Sequence, residues 1–276
     1  MINKWKKKSL MTMIAVLLAI MVTGCAQTSS NTASVIEPGL SDMEYVQKKG
    51  TLIVGVTDYA PMGYHSGTDW VGLDIDLAEA FADSIGVKLE LVEIDWNKKT
   101  ELLQKGDIDC IWNGMTMTEE LQETISCSKP YLSNAQVVVL RSDETKQHQT
   151  VETCQHLLFA VEAGSTGETL LKEMKYRYTT YPTQIEALQS VQENKTDAAV
   201  IDIIMASSNV GEGREYEELD FAISLNDEKM CVGFRKDSDL TQKADEFLKT
   251  VYMDGTIQSL SEKYGIEDAV LQPVNH

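Results

Sequence analysis

The stretch Gly72-Leu-Asp-Ile-Asp-Leu-Ala-Glu-Ala-Phe-Ala-Asp-Ser-Ile85 decides the fold class of this 276-residue chain. Its apolar residues recur at positions 75, 78, 82 and 85, with 77 and 81 beside them, while acids at 76, 79 and 83 take the other side. This spacing predicts an amphipathic helix, and acids in its first turn suit the positive end of the helix dipole. Apolar runs at 51–56 and 88–92 flank the helix and predict buried strands.

The same alternation of strands and helices continues along the chain. Alternating elements are typical of α/β proteins with mostly parallel sheets, which bind ligands beyond the carboxyl ends of their strands. A polar stretch at 141–150 divides the pattern, so we expect two similar α/β lobes. Further strands are predicted at 108–112, 135–140, 157–161, 197–203 and 230–234, and further helices at 97–105, 164–174, 182–192, 240–253 and 256–264.

Charge and motif content exclude several functions. Acidic residues outnumber basic ones by 43 to 24, a net charge of −19, and a nucleic-acid backbone needs a basic surface. No zinc-protease, nucleophile-elbow or phosphate-loop motif is present, so we expect no cofactor, no metal and no nucleic-acid partner. The cysteines beyond residue 25 form no C-x-x-C pair and are interpreted as free thiols, with Cys110–Cys127 as the pair to examine for a disulfide.

The N-terminus predicts an export signal. Lysines at positions 4, 6, 7 and 8 precede an apolar stretch, 10–22, which is ~20 Å long as a helix and short for a bilayer span. The alternative is an uncleaved anchor helix. Val22-Thr-Gly-Cys25 resembles the bacterial lipobox, which implies a lipoprotein signal peptide at 1–24, a lipid on Cys25 and a flexible tether at 25–42. The mature chain would then sit at the extracytoplasmic face of the cell membrane.

Six motifs, in order along the chain, are similar to those of the bacterial extracellular solute-binding proteins of family 3, the amino-acid receptors of ABC importers. The resemblance implies a two-lobed, periplasmic-binding-protein-like fold of type II, with two crossover hinge strands near 137–141 and 229–234. Lobe 1 would comprise 43–138 plus 232–276, lobe 2 would comprise 139–231, and the ligand cleft would lie between them. The motifs are Gly72–Leu77, Trp112–Thr118, Ser128–Tyr131, Val161–Gly167, Asp197–Asp202 and Asp254–Thr256.

The resemblance also implies a ligand pocket. Asp202 would bind the ligand ammonium through a charge-assisted hydrogen bond. Gly114 and Thr116 would donate to its carboxylate, and the helix N-terminus at Thr166 is a natural anion site. The full set of expected ligand-binding residues is Asp58, Tyr59, Trp70, Trp96, Asn113, Gly114, Thr116, Leu121, Glu162, Ser165, Thr166 and Asp202.

One position departs from the family pattern. The family usually places an arginine where this chain has Leu121, and that arginine grips the ligand carboxylate with two parallel hydrogen bonds. Such a charged bond is worth ~1.5–3 kcal/mol. The sequence identifies no substitute, since Lys98 and Lys99 lie on another segment. Either the ligand is a cation with little or no carboxylate, which we favour because Asp58, Glu162 and Asp202 are acidic, or another donor binds the carboxylate.

Three functions therefore remain at this point. The leading hypothesis is a lipid-anchored receptor, not an enzyme, which delivers an amino acid or small amine to an ABC permease with a separate ATPase subunit. A second is a ligand sensor that uses the same lobes to signal to a membrane partner. A third is a dehydratase-like enzyme on this fold, for which no acid and base pair is apparent beyond the pocket carboxylates.

Overall fold

A computed structural model describes residues 39–272. The predicted signal peptide, Cys25 and most of the tether lie outside the described residues. The first described helix is α1 (Asp42–Lys49), whose N-terminus is closed by a capping box between Ser41 and Glu44. Such reciprocal hydrogen bonds satisfy two backbone N–H groups that a helix start leaves free.

The first five-stranded sheet has the strand order β4-β1-β5-β14-β6. Strand β1 runs parallel to β4 and β5, while β14 runs antiparallel to β5 and β6. We call this sheet and its helices lobe 1. Its elements after α1 are β1 (Thr51–Val56), the hairpin β2 (Tyr64–Ser66) and β3 (Asp69–Val71), α2 (Leu73–Ser84), β4 (Lys88–Glu93), a 3-10 turn (Trp96–Lys98), α3 (Lys99–Lys105), β5 (Cys110–Ile111), α4 (Glu119–Thr124), β6 (Ser126–Cys127), β14 (Gly233–Phe234), α8 (Leu240–Met253), α9 (Thr256–Tyr264) and a 3-10 turn (Glu267–Ala269).

The second five-stranded sheet has the order β10-β9-β11-β8-β12. Strand β9 runs parallel to β10 and β11, and β8 runs antiparallel to β11 and β12. We call this sheet and its helices lobe 2. Its elements are β8 (Gln136–Arg141), a 3-10 turn (Val151–Cys154), β9 (Leu158–Glu162), α5 (Thr166–Met174), β10 (Arg177–Tyr181), α6 (Gln184–Gln192), β11 (Ala198–Asp202), α7 (Ile203–Asn209) and β12 (Leu219–Ser224).

Two short strands carry the chain between the lobes. Strand β7 (Leu132–Asn134) leads from the first sheet to the second, and β13 (Glu228–Met230) returns beside it as an antiparallel pair. The first crossing thus precedes the predicted segment 137–141, because that apolar run is buried in the second sheet between β11 and β12. The predicted boundary at residue 138 falls inside β8.

The amphipathic helix predicted from residue 75 is confirmed as α2. Its apolar face is buried, and α9 packs against both α2 and α8. The helix predicted at 97–105 is observed as α3, which Gly106 ends in the left-handed conformation. The predicted strand at 230–234 is divided between β13 and β14, since only its first residue lies in the crossing pair.

Two strands of the second sheet were not predicted. Strand β10 is a polar edge strand, although its aromatic and β-branched composition is a usable signal. Strand β12 is also an edge strand, and a register shift between Phe221 and Ile223 breaks its alternation. Edge strands bury less apolar surface than central ones, so their hydrophobic pattern is weak.

Candidate ligand-binding site

A cavity of about 600 Å³ lies between the lobes, beyond the carboxyl ends of β1, β5, β9 and β11. Its volume is within the range of small-molecule sites. Ten of the twelve predicted residues line it, contributed by both lobes. They are Tyr59, Trp96, Asn113, Gly114, Thr116, Leu121, Glu162, Ser165, Thr166 and Asp202.

The other two predicted residues lie away from this cavity wall. Asp58 is half-buried in the loop after β1. Trp70 lies on the β2–β3 hairpin, where its ring packs on His65 with 4.0 Å between ring centroids. In the described conformation Trp70 therefore packs within the hairpin and does not line the cavity.

Asp202 ends β11 and is 5% exposed. Its carboxylate accepts hydrogen bonds from the side-chain amides of Asn134, Gln136 (2.8 Å) and Gln184. Burial raises the pKa of Asp202 to about 6, the charge of Glu228 adds to the rise, and the amide hydrogen bonds oppose it. These partners are neutral, so hydrogen bonds orient the carboxylate, and no lysine or arginine among residues 39–272 forms an ion pair with it.

Glu228 connects this site to the crossing strands. It lies on β13 and accepts hydrogen bonds from Thr116 Oγ1 (2.8 Å), Asn134 Nδ2 (2.9 Å) and Gln136 Nε2 (3.1 Å). The hydroxyl proton of Thr116 is therefore engaged within the protein. The same amides contact Asp202 and Glu228, so the ligand site and the crossing strands share one hydrogen-bond network.

Glu162 ends β9 and is also 5% exposed. Its pKa is raised to about 8, mainly by burial and also by the neighbouring charge of Asp202, while the charge of Lys99 opposes the rise. Two buried carboxyl groups thus line the lobe 2 side of the cavity. A carboxyl pair of this kind favours a positively charged group between or beside its members.

Gly114 follows β5 in the left-handed conformation, with φ of 62°. Its backbone N–H donates to Asp74 Oδ2 at 2.7 Å, and Asp74 also accepts from the Tyr131 hydroxyl at 2.6 Å. The Gly114 amide is thus already paired and is not free for a ligand. A Cβ at this position would lie 2.4 Å from the Tyr59 ring, which explains the glycine.

Two cavity-lining residues of lobe 1 each have a buried polar atom that makes no close hydrogen bond within residues 39–272, namely the Tyr59 hydroxyl, which lies near Asp202, and Asn113 Oδ1. The Asn113 amide nitrogen is held by Thr57 Oγ1 at 2.7 Å. Burial, with the nearby charge of Asp202, raises the pKa of Tyr59, so its hydroxyl stays protonated. Unpaired buried polar atoms are costly, and both residues line the cavity, where a ligand could satisfy them.

The other end of the cavity is formed by two helix starts. Ser165 caps α5 by accepting from the Glu168 N–H at 3.1 Å, and Thr166 begins that helix. Leu121 lies in α4, where its N–H donates to Thr118 Oγ1, and its side chain packs with an apolar cluster that includes Met115 and Ile125. Leu121 therefore supplies apolar surface to the cavity wall.

The lobes touch at the rim of the cavity. Gly164 follows β9 with φ of 73°, and a Cβ there would lie 2.7 Å from Asn97 Cα in lobe 1. Lys99 Nζ donates to the Gly164 carbonyl oxygen at 2.8 Å across the same gap. The described conformation is thus one in which the two rims are in contact.

Several residues of this site were missed by sequence reasoning, and three of them matter most for its charge and its hydrogen bonds. Lys99 lines the cavity, Gln184 binds both the side chain and the N–H of Asp202, and Glu228 joins the network at the crossing strands. Gln184 lies at the start of α6, directly after its cap Thr183, but the sequence does not show that its side chain is buried. The sequence carried no signal for Lys99 or Glu228 either.

Other features bear on the remaining expectations. The four cysteines at positions 110, 127, 154 and 231 are free thiols, as interpreted, so the Cys110–Cys127 disulfide is not formed. Within 39–272, no group of three or more His, Cys, Asp or Glu side chains is arranged to hold a metal ion. No helix in that range has the length and apolar character needed to cross a membrane.

The family profile of the bacterial extracellular solute-binding proteins, family 3, matches residues 52–267. This chain belongs to that family, and its fold is the type II, two-lobed, periplasmic-binding-protein-like fold with a cleft between the lobes.

Several characterised proteins are similar. The arginine-binding extracellular protein of Bacillus subtilis strain 168 is 27% identical over 264 residues, covering 94% of this chain and 98% of that protein. An amino-acid ABC transporter substrate-binding protein from Streptococcus pneumoniae, solved with L-arginine, is 28% identical with a TM-score of 0.76, covering 85% of this chain and 100% of that one. A membrane-bound lytic murein transglycosylase F of Aeromonas hydrophila is 30% identical over 81% of this chain, which spans 46% of that enzyme.

Proposed function

We propose that this protein is the substrate-binding component of an ABC importer and binds an amino acid, or a related small amine, in the cavity between its lobes. The observation that carries the proposal is Asp202, a buried carboxylate that faces the cavity with neutral hydrogen-bond partners only. A ligand ammonium group would complete it with a charge-assisted hydrogen bond, which is about twice as strong as a neutral one.

The ligand that fits this cavity carries at least one positive charge. Glu162 and Asp202 are both buried in the lobe 2 wall, and a ligand cation beside them would stabilise the ionised form of both carboxyl groups. Trp96 adds an aromatic surface beside them. The relatives named for arginine support the assignment to a basic amino acid.

The lobes would close on the ligand by hinge motion about β7 and β13. We place the lobe boundaries at these paired crossing strands. Closure that shields a polar ligand from water is the usual behaviour of two-lobed binding proteins. The closed form would dock on a membrane permease, and a separate subunit would hydrolyse ATP. A sensor that passes the same closure to a membrane partner is the alternative.

We infer that the protein does not catalyse a reaction. A transglycosylase or dehydratase needs a positioned acid and base beside its substrate. Asp202 is held by three amides, and Asp74 is enclosed by Gly114 and Tyr131. Both therefore serve fixed hydrogen-bond roles. Turnover of prephenate, arogenate or murein by the purified protein would overturn this inference.

A thermal-shift screen over amino acids, amines and small peptides tests the binding function. A ligand that binds only the folded state stabilises it by RT ln(1 + [L]/Kd), and the melting temperature therefore rises. We expect a basic amino acid to give the largest rise. No rise with any amino acid or amine, at concentrations up to millimolar, would contradict the proposal.

The localisation proposal is that Cys25 carries a lipid which anchors the protein at the extracytoplasmic face of the cell membrane. Several acyl chains on one residue anchor stably, whereas a single chain binds only marginally. The expected result is wild-type protein in the membrane fraction with a lipid-modified N-terminal Cys25, and release or lack of processing in Cys25→Ser. Wild-type protein found entirely in the medium with an unmodified Cys25 would contradict it.

A further inference from the structure

Lys99 is a buried cation in the wall of the ligand cavity. It is the first residue of α3, its surface is 9% exposed, and it is the only lysine or arginine among the residues that line this cavity in the described chain. Its neighbour Lys98, by contrast, faces the solvent. The Lys98 side chain is 58% exposed and pairs with Asp95 at 3.2 Å.

The ammonium group of Lys99 is incompletely satisfied by the protein. It donates to the carbonyl oxygens of Gly164 (2.8 Å) and Trp96 (3.3 Å), and it lies 4.7 Å from the centre of the Trp96 ring. A lysine ammonium has three donors, and the third has no partner within residues 39–272. No carboxylate in that range lies within 4.0 Å of it.

This arrangement is unfavourable without a further partner. Burial lowers the pKa of Lys99 to about 8, while the charges of Glu162 and Glu168 oppose that shift. Glu168 is itself engaged with the Gly164 N–H at 2.7 Å. A buried cation that lacks a contacting anion, in the wall of a cavity, has the chemistry of a binding site for an anionic group.

We propose that Lys99 binds the carboxylate of the ligand. The assignment rests on the proposed function, since it takes the ligand ammonium to lie at Asp202. It names the ligand as a compound with both an ammonium and a carboxylate group, and it reverses the sequence-based preference for a cation without a carboxylate. Leu121 stands at the position of the usual arginine and has no charge. Lys99 would supply the missing positive charge from another part of lobe 1.

Matched ligand pairs isolate the carboxylate. Agmatine, cadaverine and histamine are arginine, lysine and histidine without the carboxylate, so the affinity ratio within each pair measures what that group contributes. Calorimetry with wild-type protein should show at least a tenfold preference for the amino acid of the pair that binds best. Lys99→Met should remove this preference. We expect the affinity for the amino acid to fall ten- to hundredfold and the affinity for the amine to change less than about threefold.

Two further variants control the experiment. Lys98→Met removes an adjacent exposed lysine and should keep the wild-type preference. Lys99→Arg keeps the charge and should retain most of the preference, and it remains informative if Lys99→Met fails to fold. Because salt screens a buried charge pair much less than an exposed one, we also expect the preference to change little as ionic strength rises.

The outcomes separate the two proposals. If wild-type protein binds the amine as tightly as the amino acid, or if Lys99→Met weakens both equally, Lys99 does not bind the carboxylate and acts only through its contact with Gly164. The proposed function would stand in that case. If no amino acid and no amine binds, the proposed function itself fails, and the carboxylate assignment fails with it.

Discussion

Lobe 1 and lobe 2 have the same strand arrangement: three neighbouring parallel strands, then a fourth strand that runs antiparallel to its neighbours on both sides, and a fifth strand at the edge. They differ in the buried charge that they present to the cavity. Lobe 1 contributes the cation Lys99, whereas lobe 2 contributes the acids Glu162 and Asp202. A ligand with both charges would contact both lobes, and such a ligand favours the closed cleft.

Each lobe also buries an aspartate, and the two serve different purposes. Asp74 in lobe 1 is enclosed by the Gly114 N–H and the Tyr131 hydroxyl, away from the cavity wall. Asp202 in lobe 2 is oriented by amides but faces the cavity. The comparison predicts that replacing Asp74 affects stability, while replacing Asp202 affects ligand binding.

The largest expected effect is on folding. Asp74→Ala leaves the Gly114 N–H and the Tyr131 hydroxyl without a partner, so the free energy of unfolding should fall by about 3 kcal/mol. Urea titration measures this change. The exposed Asp83, on the same helix, is the control, and Asp83→Ala should change stability by less than about 0.5 kcal/mol.

The role of Asp74 also predicts how the stability of the protein changes with pH. Burial raises the pKa of Asp74 to about 7 from 3.8, so between these values the folded state holds a proton that the unfolded state has released. This group's contribution to stability therefore falls as pH rises from about 4 to 7. Asp74→Ala should remove that part of the slope, and an unchanged slope would contradict the role of Asp74.

The next effect concerns the contact between the lobes. Gly164→Ala should weaken amino-acid binding by about tenfold, because the new Cβ would overlap Asn97 and hold the rims apart. Gly213→Ala is the control. Gly213 has a similar φ of 75° but no atom lies near its Cβ position, so this variant introduces the same backbone strain without a steric overlap. Calorimetry should show normal affinity for Gly213→Ala. Equal affinities in the two variants would show that the rim contact does not assist binding.

The smallest effect is a pH dependence of binding. With a pKa of about 6, Asp202 loses most of its charge as pH falls from 7.5 to 5.5, whereas Glu162, with a pKa of about 8, is already mostly protonated at pH 7.5. The affinity for L-arginine should therefore decrease by roughly fourfold or more over this interval. Affinity that is constant, or that increases on acidification, would mean that these carboxylates do not bind the ligand cation.

Much of the fold was predictable because buried strands and α2 have strong hydrophobic patterns. Those strands end at Glu162 and Asp202, whose position at the cavity was implied by the family resemblance and agrees with the rule that ligands lie beyond the carboxyl ends of parallel strands. The edge strands β10 and β12 were missed, since weak burial leaves a weak pattern.

Contacts between distant segments were not predictable. Asp74 was interpreted only as an acid near a helix start, yet it binds Gly114, 40 residues away, and occupies the amide expected to serve the ligand. Lys99 follows Lys98 in a polar segment, and the helical pattern does not say which of the two faces the cavity. Only the packing of Trp96 and Gly164 around its ammonium decides this.

The most direct test of the central claim is the affinity of wild-type protein and Asp202→Asn for the amino acid that stabilises the protein most, measured by calorimetry at pH 7.5. Asp143→Asn, at an exposed acid of the same lobe, is the control. Loss of the charge opposite the ligand ammonium should weaken binding ten- to hundredfold in Asp202→Asn alone, with the protein still folded. Equal affinity in wild type and Asp202→Asn would contradict the claim that Asp202 binds the ligand ammonium.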